Sequence, residues 1–67
     1  MRTYGKLREL IRLKFGTIQK FAEKLGMKHS TLTRKLLGRN EWKSSEIERI
    51  VELLEIDTDD IREYFFY

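Results

Sequence analysis

The 67-residue sequence has no cysteine, no proline, four glycines and a single histidine. Without cysteine there is neither a disulfide framework nor a thiolate metal site, and one histidine cannot build an imidazole-ligated centre. No metal or other cofactor is expected. No apolar run approaches the roughly 20 residues of a membrane span, and no signal-peptide pattern opens the chain. The expectation is a soluble intracellular protein with no membrane partner. Catalysis finds no footing: there is no paired acid/base constellation, no nucleophile beside a base and no phosphate-cradling glycine loop. The length predicts one domain, with no second lobe to close a cleft and no small-molecule ligand. A core this small rarely supplies more than roughly 3–5 kcal/mol, so regular helix packing or a partner subunit matters.

What is present is a charge polarity hidden inside a net +3. Residues 1–43 carry 12 Lys/Arg and 3 acids, a balance of +9, whereas residues 44–67 carry 2 basic and 8 acidic residues, a balance of −6. One half of the chain attracts polyanions and the other repels them.

Apolar spacing predicts helices almost throughout. Leu7, Leu10, Ile11 and Phe15 define a first helix from about Thr3 to Phe15, closed by Gly16. Thr17 is a natural N-cap for a second helix carrying Phe21, Ala22 and Leu25, closed by Gly26. A third, from Lys28 or His29 to Leu37, buries Leu32 and Leu36 and stops at Gly38. Residues 39–43 read as a loop. Ser45 followed by Glu48 forms a capping box that opens a fourth helix with Ile47, Ile50, Val51 and Leu54 on one face. Asp57 or Thr58 caps a fifth, which carries Ile61, Tyr64 and the closing Phe65-Phe66-Tyr67. The absence of proline agrees with this all-α reading.

The informative segment is TIQKFAEKLGMKHSTLTRKLLG, residues 17–38. Two short helices meet at a glycine, a turn that makes them cross steeply. Ala22 is small because the following helix crosses over it, and Gly26 supplies positive φ. The second helix then projects as a ridge that a DNA major groove can accept.

The Ala22–Gly26–Leu32 spacing, the leading Phe21 and the terminal Gly38 resemble the helix-turn-helix of phage Cro and repressor proteins. The stretches LTRKLLGRNEW, SSEIERIVELLEI and IREYFF extend the resemblance over nearly the whole chain, to small Cro-like repressors of Gram-positive phages and prophages. The resemblance implies a compact five-helix, lambda-repressor-like domain over residues 1–67. It also implies operator DNA as partner, a homodimer, and the cytoplasm of a bacterial host. Three positions depart from the pattern: Lys28 stands where relatives have a Ser or Thr cap, Ile18 where many have a phosphate-contacting Gln, and Lys43 where Ser/Thr is frequent.

On the third helix Ser30 and Arg34 lie opposite Leu32 and Leu36, with Thr31 and Thr33 on the flanks. Arg34 is expected to read guanine O6 and N7 as a bidentate donor, with phosphate contact as its alternative. Ser30, Thr31 and Thr33 join it as base contacts; Ser30 or Thr31 equally caps the helix. His29 has two readings, DNA contact or local capping and packing. Leu37 packs under Trp42 or touches a thymine methyl. Thr17, Gln19, Lys28, Lys35, Arg39, Asn40 and Lys43 form the expected phosphate clamp. With about five to seven phosphates neutralised, log affinity falls against log salt with a slope of about −4 to −6.

Four of the eight aromatic residues occupy the last four positions. Tyr64, Phe65, Phe66 and Tyr67 are expected at a C-terminal dimer contact, with one or two of them, Tyr64 or Phe65, completing the monomer core. The function expected is that of a sequence-specific DNA-binding transcriptional regulator, a Cro-like repressor on a near-palindromic operator. The competing expectation is a protein-interaction module on the same fold, an antirepressor or antitoxin-like partner.

Overall fold

Every regular element in the computed structural model, which describes residues 4–66, is helical. Helix α1 spans Gly5–Phe15, α2 Ile18–Leu25, α3 His29–Leu36, α4 Ser44–Leu54 and α5 Ile61–Phe65, the last entered through a 3-10 turn at Thr58–Asp60. No helix of the described residues is long and apolar enough to cross a membrane. The expected start of α1 at Thr3 lies outside the described residues.

Local chemistry sets most of the boundaries. Gly16, at φ +86°, closes α1, and the Thr17 hydroxyl accepts the Lys20 N–H at 3.1 Å to open α2. Gly26 sits at φ +73°, where a side chain is disfavoured, while the Met27 N–H returns to the Ala22 carbonyl at 3.0 Å. Asp57 accepts the Asp59 N–H at 3.1 Å and so caps the turn into α5.

The start of α4 corrects the expected register by two residues. Lys43, not Ser45, is the N-cap, and the acid in the third helical position is Glu46 instead of Glu48. The Glu46 carboxylate accepts the Lys43 N–H at 2.8 Å, the half of a capping box that a lysine N-cap permits. Glu46 wins this position because Lys35 reaches it from α3, whereas Glu48 is exposed. At the other end of α4, Glu55 adopts a left-handed conformation at φ +56°, and Lys14 donates to the Leu54 carbonyl at 2.6 Å.

Helix α1 is the centre of the packing and meets α2, α3, α4 and α5. Its Leu7 and Ile11 are fully buried with Phe21, Ala22, Leu32, Leu36, Ile50 and Leu54. Phe65 joins them at 1% exposure, so of its two expected places, core and dimer contact, it takes the core. There its ring meets Trp42 edge-on at 5.7 Å, and Trp42 in turn meets Tyr4 at 5.8 Å. These two contacts draw the 37–43 loop and the last helix onto one side of the core.

Candidate functional site

Leu32, Lys35 and Leu36 are the buried residues of α3. With those turned inward, 100° per residue leaves Ser30 and Arg34 on the far side, and both are exposed. His29 is exposed at the first turn, and Thr31 and Thr33 are half-buried on opposite flanks. The residues expected on the outward face therefore stand together on one helix, three accessible in full and two in part.

Each flank of α3 meets a different neighbour. His29 and Thr33 look across a cleft at Arg8 and Arg12 of α1, with Ile18 at its α2 side. Leu37 also lines this cleft. The two arginines were missed in the sequence because each reads singly as a solvated charge. Their four-residue spacing was the available signal, since it sets both on one side of α1, away from Glu9 and Leu13. No acid lines the cleft.

Lys35 occupies the opposite flank and departs from the expectation of an outward phosphate contact. Its side chain is 8% exposed, and its Nζ donates to both carboxylate oxygens of Glu46, at 2.5 and 2.6 Å. The ammonium also sits 5.9 Å from the centre of the Trp42 ring. Burial by itself pushes the Glu46 carboxyl up, but the Lys35 ammonium and the Lys43 N–H outweigh it and hold the group below its ordinary value of 4.5. Lys35 is thus committed to the interior, where it ties α3 to the first turn of α4 and to the loop between them.

The remaining members of the expected clamp are on the surface. Thr17, Gln19, Lys28, Arg39, Asn40 and Lys43 are all exposed. Thr17 also serves as the α2 cap. Arg39, Asn40 and Lys43 follow α3 in the chain; Arg8 and Arg12 approach its other side. The exposed acids Glu48, Glu52, Glu55, Asp57, Asp59 and Asp60 belong to α4 and the segment after it. The charge polarity of the sequence is therefore largely a division between elements: Arg8, Arg12, Arg39 and Lys43 border α3, with the exposed Glu41 among them, and six exposed acids gather on α4 and the approach to α5.

Of the C-terminal aromatics, Phe66 is 55% exposed, and Tyr64 is half-buried beside Leu10 and Leu13 of α1. Tyr67 lies outside the described residues. Among the described residues Leu13 is the other exposed large apolar residue, at 81%.

Residues 2–67 match the family described as "Protein of unknown function (DUF739)", and the chain belongs to that family. No curated protein matches it.

Proposed function

We propose that this member of the DUF739 family is a sequence-specific DNA-binding transcriptional regulator of the Cro-like repressor type. It acts as a homodimer on a near-palindromic operator in the cytoplasm of a bacterial host. On this reading the fold is lambda-repressor-like, with a helix-turn-helix over residues 17–38 and α3 as the helix that enters the major groove.

One observation carries the proposal: the exposed Ser30–Arg34 face of α3 stands between Arg8 and Arg12 on one side and Arg39 and Lys43 on the other, with Glu41 the acid among them, while six exposed acids are gathered on α4 and the approach to α5. A polar, hydrogen-bonding ridge flanked by cations suits a polyanion whose sequence is read between two phosphate tracks. Arg34 supplies a guanine-reading donor pair, with Ser30, Thr31, Thr33 and His29 as its neighbours on the bases. Thr17, Gln19, Lys28, Arg39, Asn40 and Lys43 hold the backbone. The turn at Gly26 and the burial of Ala22 support the steep crossing that lifts α3 outward. The described residues measure 27 × 24 × 21 Å, shorter than the about 34–36 Å between half-site centres. A second copy reads the second half-site. Repression follows from occupancy, with no catalytic step and no cofactor.

Selection of bound sequences from a random DNA pool, followed by a salt titration on the winner, tests this directly. A symmetric consensus and a log–log slope of about −4 to −6 are expected, and Ser30→Ala/Arg34→Ala abolishes the consensus while the chain stays folded. An unenriched pool refutes the proposal. The exposed Leu13 favours the second reading, a protein-interaction module, which predicts loss of function on changing Leu13 with any DNA binding intact.

A further inference from the structure

Arg8 of α1 carries a buried polar atom that finds no partner inside the fold. Its Nε is buried and makes no hydrogen bond. A guanidinium cannot shed its charge in a protein, so a buried, unused donor on it marks a place where an acceptor is missing. That atom belongs to a residue lining the cleft between α1 and α3, where Arg12, one turn on, contributes a second guanidinium. Across the gap His29 and Thr33 are also one turn apart, so two rungs of donors face two rungs, over an apolar floor that includes Ile18 and Leu36.

We propose that this cleft is an anion subsite that takes a single phosphate group. Charge selects the class. Two arginines four residues apart repel one another, and no lining residue is acidic, so the cleft is complete only with an anion in it. Geometry narrows it further: the fork of a guanidinium matches the paired oxygens of phosphate, and the Thr33 hydroxyl and the His29 ring add donors from the other wall. Size favours a single small group over a whole small molecule. The cleft holds about 220 Å³, below the roughly 300–1,000 Å³ typical of small-molecule pockets. The apolar floor limits competition from water.

The source of the phosphate is a nucleic-acid backbone. This part rests on the DNA-binding reading; the subsite itself does not. It moves His29 and Thr33 from the bases to the backbone and adds a contact on the α1 side of α3, opposite the one supplied by Arg39 and Lys43. The duplex is then gripped on both sides of the helix that reads it.

Two arms on the full chain separate the subsite from its source. In the first, inorganic phosphate is titrated at constant ionic strength while the Arg8 Nε–H and the His29 and Thr33 amide resonances are followed by NMR. Saturable shifts are expected in the parent chain and in Arg62→Gln, an exposed cation outside the proposed DNA contacts, and none in Arg8→Gln. Linear shifts, equal in all three, overturn the subsite. Should Arg8→Gln fail to fold by circular dichroism, Arg12→Gln takes its place under the same criteria. In the second arm, DNA bound by the parent chain is titrated with salt. Arg8→Gln is expected to lose roughly three- to tenfold in affinity, evenly across sequences, and to lower the salt slope by about 1. Saturable phosphate binding with an unchanged slope overturns the backbone as the source and leaves free phosphate. A parent chain that binds phosphate but no DNA refutes the functional reading and sustains the subsite.

Discussion

Replacing Glu46 with glutamine removes one charge and little else, because the amide oxygen still accepts the Lys43 N–H that opens α4. What it strands is Lys35, whose side chain is 8% exposed and whose ammonium has both Glu46 oxygens within 2.6 Å. Breaking a buried pair from one side costs about 3–5 kcal/mol, since the surviving charge is left unpaired. Glu46 is itself 18% exposed, so some water reaches the site and about 3 kcal/mol is the expected loss. A domain of this size holds only about 3–10 kcal/mol in total. Lys35→Met is milder, about 1–2 kcal/mol, because the more exposed carboxylate can turn toward solvent. The double variant recovers most of the loss, giving a coupling of about 2–3 kcal/mol.

Urea denaturation at pH 7 measures this, read as a midpoint shift at constant slope. Two single losses that simply add in the double variant refute the idea that the ion pair ties α3 to α4. The pair also sets a pH dependence. The Glu46 carboxyl is lowered in the folded chain, so its stabilisation is fully present above the ordinary value of 4.5. It is lost as pH falls from there through the depressed folded value. The stability difference between the parent chain and Glu46→Gln therefore narrows below pH 4.5.

The two adjacent phenylalanines should separate cleanly. Phe65→Ala costs about 3–5 kcal/mol and unfolds much of the population, whereas Phe66→Ala changes monomer stability by less than about 0.5 kcal/mol but weakens self-association in sedimentation experiments. Backbone conformation predicts opposite signs at two helix ends. Gly26→Ala destabilises by about 1 kcal/mol through its φ of +73°, although space exists for the methyl, and Glu55→Gly stabilises by about 0.5–1 kcal/mol at φ +56°; melting temperatures of the pair check both. On selected DNA, Arg34→Ala loses about 1–3 kcal/mol of discrimination at one base position, seen in competition with single-base variants of the site. Lys35→Met leaves the salt slope of DNA binding unchanged, while Lys43→Met lowers it by about 1, because only Lys43 is exposed.

Much of the architecture was legible because it is written locally. The stripe of Leu7, Ile11 and Phe15, the threonine at 17 and the glycines at 16 and 26 act through neighbours within a turn of chain. The outward pair Ser30 and Arg34 follows from Leu32 and Leu36 by the same rule. Where the reading failed, a distant group decided. Ser45 is as good a cap as Thr17, yet α4 starts earlier because Lys35, eleven residues back, draws Glu46 into the third helical position. The final aromatics offered no periodicity long enough to sort them, and Trp42 sorted them by receiving Phe65 against its ring.

The sequence by itself determined that the chain is helical, where most helices stop, and that its cations and acids fall in separate stretches. These are matters of period, backbone preference and composition, which need no knowledge of what packs on what. Tertiary structure decided which flank of each helix meets which neighbour. It turned Lys35 inward against a carboxylate, set Arg8 and Arg12 of α1 across from His29 and Thr33 of α3, and divided Phe65 from Phe66. A long cationic side chain on a helix flank reads the same in sequence whether it faces water, a carboxylate or a cleft. Only the partner across the gap assigns its role.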